Sequence, residues 1–295
     1  MMTKKIYGLL VVMAALILVS CDQDPIDKVQ SIFDTTQYPR TPFEEWLYQN
    51  YTKEYNIDFK YKFEDIESDM KYNLVPAKEE NSVVLAQIIK HVWIDAYDEI
   101  LGSKHFMRRY VPKVLLLVGS PAYNGDGSIV LGTAESGLKV TLYDVNKMDI
   151  HDINIEELTE DYFHTMHHEF AHILHQTKAY DPQWQQISNA DYIGNNWIYE
   201  RDTVSYREKG FISAYSMMNH NEDFVEYYSY YVTNTQEWWD AEWAKGGAKG
   251  IAIKNKKIAI VRDYFKEVWN IDLDIMREIV LRRGNEVPTM EFLTF

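Results

Sequence analysis

Apolar and polar positions recur along this chain with two different periods, and the change of period divides it. Thr41-Pro42-Phe43-Glu44 reads as a capping box with proline in the first turn, predicting a helix through about Tyr51. Asp58 to Phe63 alternates with period two, like a strand with Phe59, Tyr61 and Phe63 on one face. Over residues 81–101, Val84, Leu85, Ile88, Ile89, Val92, Trp93 and Ala96 fall at helical spacing, and Gly102 ends the run. Val114 to Val118 is a continuous apolar stretch closed by Gly119, as in a buried strand. Tyr123 to Gly127 reads as a turn, with further strands at Ser128–Gly132 and Leu138–Tyr143. After Asn154 the period becomes helical: one helix or two in tandem over 155–177, irregular sequence over 178–208, then helices near 212–233, 249–268 and 273–283. A mixed α/β part (41–150) followed by a helical part (151–295) predicts an α+β fold with its cleft where the parts meet. No repeat and no convincing linker interrupts 41–295, which reads as a single domain.

The first forty residues have another character. Lys4 and Lys5 precede an apolar run from Ile6 to Val19, shorter than the ~20 residues of a membrane-spanning helix. Leu18-Val19-Ser20-Cys21 closes it and resembles the lipobox of bacterial lipoproteins, in which cleavage precedes a cysteine that is then lipidated. Residues 1–20 are thus expected to be a signal peptide, Cys21 the lipid anchor and the stretch to residue 40 a tether. Cys21 is the single cysteine, so disulfides and thiolate zinc ligands are excluded. Asp22-Gln23-Asp24 after the anchor resembles the surface-export signal of Bacteroidetes lipoproteins. The expected location is the outer membrane, with a lean towards its outer surface.

Net charge changes the picture mainly by exclusion. The chain carries −15, and loss of residues 1–20 removes two lysines and no acid, leaving −17. A protein this acidic lacks the basic face that nucleic acid requires. At 46% hydrophobic residues and 25% charged, the chain is globular rather than disordered.

The chemistry concentrates in HHEFAHILHQ, residues 167–176. On a helix of about 100° per residue, His164, His168, His172 and His175 fall within roughly 80° of one another, while Met166 and Phe170 face away. One register gives His-Glu-x-x-His: His168-Glu169-Phe170-Ala171-His172. Two imidazoles at i and i+4 can reach one zinc ion, and Glu169, rotated by about 100°, can reach a water without becoming a ligand. His164 and His175 are expected beside the ligands rather than among them. Catalytic zinc takes a third protein ligand. The metzincin continuation would place a glycine and a histidine where this chain has His175 and Lys178, so the ligand comes from elsewhere. Glu222 and Glu226 stand at i and i+4 in a helical stretch rich in buried-type aromatics. Their repulsion disappears if one binds zinc and the other accepts a hydrogen bond from a ligand histidine. On the residues alone Glu222, Glu226 and His220 all remain open as the third ligand.

His168-Glu-x-x-His172, followed about fifty residues later by Tyr-x6-Glu-Asp-Phe-Val-Glu, resembles gluzincin-type zinc metallopeptidases. More narrowly, "HHEFAHILHQ", "GFISAYS" and "EDFVEYYSYYV" resemble the zinc-binding metallopeptidase lipoproteins of Bacteroidetes, described as substrate-import-associated zinc metallohydrolases. That resemblance implies a zincin-like fold with the active-site helix between its two parts and a Zn2+ cofactor. It also implies a peptide or protein substrate and a place beside outer-membrane nutrient-import proteins. By it, His168, His172 and Glu222 hold zinc, Glu169 is the general base, Tyr215 a phenolic donor, and Glu226 orients an imidazole. The strand at Leu138–Tyr143 is expected, by fold analogy, to be the edge an extended peptide joins. Two other readings stay open: a surface lipoprotein binding glycan or protein through aromatics such as Trp238, Trp239 and Trp243, with a structural zinc, and a zinc amidase or esterase.

Overall fold

Among the described residues every strand lies in the first half of the chain, interleaved with helices, and the second half is helical. In the computed structural model, residues 39–64, 71–125, 129–130, 132–135, 138–201 and 205–295 are described. The expected signal peptide, Cys21 and nearly all of the tether lie outside the described residues, as do residues 126 to 128 of the expected turn and strand. Residues Thr41–Phe295 group into one unit. Strands β1 (Asp58–Lys60), β2 (Val114–Leu117), β5 (Gly132–Glu135) and β6 (Lys139–Leu142) make a mixed sheet in the order β1-β2-β6-β5, and β3 (Ala122–Tyr123) pairs with β4 (Ile129–Val130) apart from it. β1, β2 and β6 run parallel, with Leu115 opposite Val140, whereas β5 returns antiparallel on β6. The expected edge at Leu138–Tyr143 is therefore corrected. β6 is paired on both sides, and the edge on its side of the sheet is β5, which lies against the histidine-bearing helix.

The helices follow their local signals. α1 (Pro42–Leu47) opens with the expected capping box: Thr41 Oγ1 accepts from the Glu44 amide, and the Glu44 carboxylate accepts the Thr41 N–H at 2.8 Å. A π turn and a last helical turn carry it on to Tyr55. α2 (Glu79–Ile89) and α3 (Asp95–Leu101), joined by a π turn, end at Gly102 in the left-handed conformation. Leu85, Ile88 and Ile89 of α2 and Val92 of the π turn are fully buried. α4 (His105–Tyr110), which the periodicity did not indicate, precedes β2. The described residues after β6 contain no strand. α5 (Ile155–Leu158), capped by Asn154, runs through a π turn into α6 (His164–Thr177). The stretch 178–208 holds short helices α7 (Gln183–Ile187) and α8 (Ser205–Glu208) among 3-10 turns.

The helix expected over 212–233 is shorter. α9 (His220–Thr233) begins only after Asn219, whose side chain accepts from the amides of Asn221 and Glu222. Asparagine satisfies those amides better as a cap than inside a helix, so residues 212–219 stay outside, with a 3-10 turn at Tyr215–Met217. A Thr235 cap opens α10 (Gln236–Ala244), also unanticipated, followed by α11 (Gly247–Asp263) and α12 (Leu273–Glu286). α9 is the hub, packing on both α6 and α12. Phe170 of α6 meets Trp93, Tyr97 and Phe106 edge-on, and Phe224, Tyr227 and Tyr228 of α9 are fully buried. No helix among the described residues is long and apolar enough to cross a membrane.

Candidate metal centre

α6 presents its imidazoles to α9, and α9 answers with carboxylates. Asn219 fixes where α9 starts, which puts Glu222 in its first turn, where the helix dipole favours a negative charge. Glu226 stands one turn further on the same face. Glu222 Oε2 lies 3.2 Å from His168 Nε2 and 3.2 Å from His172 Nε2. Glu226 Oε1 lies 2.8 Å from His168 Nδ1 and 2.8 Å from His164 Nε2. The like-charged pair is thus held by three imidazoles. His168 sits between the two carboxylates, one at each ring nitrogen.

The two sets of distances mean different things. Contacts of 2.8 Å are ordinary charge-assisted hydrogen bonds. A separation of 3.2 Å is long for that, but close to the ~3.3 Å edge of a tetrahedron whose ligands sit about 2.0–2.1 Å from a zinc ion. His168, His172 and Glu222 form one donor group with all ligand atoms within 4.8 Å. His164, His168 and Glu226 form a second, but it would use the His168 nitrogen that is already hydrogen-bonded. The donor set of the first group, two imidazole Nε2 atoms and a carboxylate, suits zinc.

The surrounding groups fix which nitrogen is free. Glu226 takes the Nδ1 side of His168, and Ser213 Oγ donates to Glu226 Oε2 at 2.6 Å. Burial alone would raise the Glu226 pKa, but His164 and His168 outweigh it and keep the carboxyl ionised well below the usual range. Glu222 behaves alike under His168 and His172. Burial opposes charge on His168, yet bonds to Glu222 and Glu226 prevail and raise its pKa well above the ordinary value. His172 Nδ1 meets His175 Nε2 at 3.1 Å. Burial and the nearby His172 lower His175 to about 4, so it is a neutral partner able to accept the His172 Nδ1–H.

Of the other expected site residues, Glu169 is half-buried on α6, and no described side chain hydrogen-bonds its carboxylate. Tyr215 is not on the α9 helix as its spacing suggested, but its ring still stands 6.0 Å from that of His168. Burial and the Glu222 charge raise its pKa, so its hydroxyl stays protonated. His220 turns away: its Nδ1 is 2.7 Å from the Tyr180 hydroxyl, and it belongs to neither donor group. His167, inside the histidine cluster, faces the core against Tyr97 and is lowered to about 3 by burial. Trp239 and Trp243 are core residues, while Trp238 is partly exposed.

Sequence reasoning missed a second layer. Asp223, next to Glu222, accepts from Lys257 Nζ at 2.6 Å and from the Tyr192 hydroxyl at 2.8 Å, with both ion-pair partners wholly buried. Lys257 also donates to the Gly210 carbonyl, and its Nζ lies 4.2 Å from the centre of the Phe211 ring. Gly210 has φ +80, and a Cβ there would meet Ile253 at 2.2 Å, so no other residue fits. This knot ties α9, α11 and the segment carrying Ser213 and Tyr215. Ser213 lies in the "GFISAYS" stretch, where only the residue types hinted at it.

Comparison with known proteins identifies a family. The family described as "Putative zinc-binding metallo-peptidase" matches residues 36–274. A crystal structure from Bacteroides caccae ATCC 43185, carrying the same description, is 41% identical with a TM-score of 0.75. The match covers 89% of this chain and 98% of that one. No curated protein matched the chain. With the match spanning both the sheet and the helices that bear the histidines and glutamates, the chain belongs to this family of zinc-binding metallo-peptidases.

Proposed function

We propose that this protein is a zinc-dependent peptidase in which His168, His172 and Glu222 hold the metal and Glu169 is the general base. The observation that carries the reading is the convergence of two imidazole Nε2 atoms on one carboxylate oxygen, each at 3.2 Å, with both Nδ1 atoms facing partners. Zinc held there supplies Lewis acidity towards a carbonyl and towards water. The chain's own residues do the rest. Glu169 removes a proton from the attacking water and delivers it to the leaving amine. Tyr215, kept protonated, donates to the carbonyl oxygen as negative charge develops on it. Glu226 and His175 hold the ligand rings in orientation. An extended peptide joins the free edge of β5 through main-chain hydrogen bonds. In the same proposal Cys21 anchors the protein by lipid to the outer membrane, facing nutrient-import proteins.

Zinc per chain and peptide-library cleavage test it together. The wild type should hold one zinc and cleave peptides, with both lost to a chelator and both restored by zinc. Glu222→Ala should lose stoichiometric zinc, whereas Glu226→Gln should bind about 10–100-fold more weakly. A folded wild type that takes up no zinc sinks the reading.

Proton release is a further expected outcome. Without metal, the raised pKa of His168 leaves it protonated at neutral pH, so zinc uptake should release about one proton per chain, measurable as buffer-dependent heat. The sign also follows for stability. His168 has a raised folded pKa, so its contribution to the metal-free fold is complete below about 6.5 and is lost as pH rises through that raised value. Glu222 and Glu226 have depressed values, so theirs is present above 4.5 and lost as pH falls. The metal-free protein should therefore melt highest between those limits, and the gain in melting temperature on adding zinc should grow as pH rises above them. A gain that shrinks with rising pH would contradict the assignment.

A further inference from the structure

Beside the metal centre, α5, the start of α6 and the far ends of α9 and α12 enclose a cleft of about 720 Å3, within the ~300–1,000 Å3 range of ligand sites. We propose that this cleft binds a basic side chain, the ammonium or guanidinium of a peptide. Its chemistry is one-sided. Glu156 and Glu160 stand one turn apart at its rim, exposed, and neither pairs with a lysine or arginine among the described residues. No lysine or arginine lines the cleft. An aromatic row forms one wall. Trp238 stacks on Tyr230 at 5.5 Å and 6°, and His164 lies against the same tyrosine at 4.2 Å.

These groups match a cation in two ways. The carboxylates attract it, and the Trp238 and Tyr230 faces bind it by cation–π attraction. His164 faces Glu226 through Nε2, while its buried Nδ1 has no partner. The size of the cleft and its amide side chains, such as Asn234 and Asn285, favour a peptide over a small free amine. Of the three tryptophans that suggested a binding platform, Trp238 alone lines this cleft, since Trp239 and Trp243 are core. The proposal does not rest on the peptidase reading, because the site is tested by binding. The two are nevertheless neighbours: the His164 ring that lines the cleft shares Glu226 with His168.

The test is calorimetric binding of a tetralysine peptide to the full zinc-loaded chain, beside spermine and a neutral tetrasaccharide. Tetralysine should bind saturably and more weakly with added salt. The double variant Glu156→Gln/Glu160→Gln should weaken it by about tenfold or more with zinc content and melting temperature unchanged, and Trp238→Ala by several-fold with zinc content unchanged. Because the whole protein is acidic, Glu79→Gln/Glu80→Gln, which removes two exposed carboxylates on α2, is the charge-matched control and should leave binding intact. Equal weakening by both double variants, or no saturable binding, overturns the site. Spermine binding as tightly as tetralysine overturns the peptide assignment. Tetrasaccharide binding that survives loss of both glutamates overturns the cationic one.

Discussion

Replacing Glu169 by glutamine is expected to leave zinc in place and to lower kcat/KM for peptide hydrolysis by about 10²–10⁴-fold. The substitution keeps size and shape and removes only the basic oxygen. Glu169 belongs to neither group of converging donor atoms, so no metal ligand is lost. It is half-buried, so the variant costs little packing. Its carboxylate is bonded to no described side chain, as a base awaiting a water must be. Zinc stoichiometry and steady-state kinetics on one preparation decide the matter. Activity within a few-fold of wild type would remove Glu169 from the role of base. Loss of zinc would make it a ligand instead.

Lys257→Met is expected to destabilise the protein by about 3–5 kcal/mol, read as a shifted denaturant midpoint at unchanged slope. Lys257 and Asp223 are fully buried, and burial pushes Asp223 up to about 6 even with the ammonium beside it. Removing the lysine leaves that carboxyl, one of whose oxygens is already unpartnered, without its charge partner. The Gly210 carbonyl also loses one of its two donors and keeps only the Tyr227 hydroxyl. The double variant Asp223→Asn/Lys257→Met should recover much of the loss, because the cost lies in the orphaned charge and not in the missing attraction. If Lys257→Met alone moves the midpoint by less than about 1 kcal/mol, the pair is not the fastening described here.

The parts of this architecture that rest on local pattern were legible in the sequence. The capping box at Thr41, the helix ending at Gly102, the buried strand at Val114 and the long helix bearing the histidines all come from spacing and caps that act within a few residues. So did the idea that Glu222 and Glu226 share imidazoles, since two like charges one turn apart in an aromatic helix call for partners. What could not be read depended on distant pairing. Strand order is a contact between segments, so Leu138–Tyr143 gave no sign that β5 would cover its outer edge. Asn219 looked like one more helical residue, although its preference for a cap shortens α9 and takes Tyr215 off that helix. Ser213, Tyr180 and Lys257 meet their partners across 13, 40 and 34 residues, where no periodicity reaches.

The placement of His168 between two carboxylates bears on the order in which the protein is assembled. A metal site made only of negative and neutral donors would hold its walls apart until the ion arrived, and the fold would wait for metal. Here a proton on His168 stands where the metal would act, and it reconciles Glu222 with Glu226 in the ion's absence. Loading such a site with zinc would exchange one cation for another. Glu222 and Glu226 can therefore sit one turn apart with His168 between them and no ion in place.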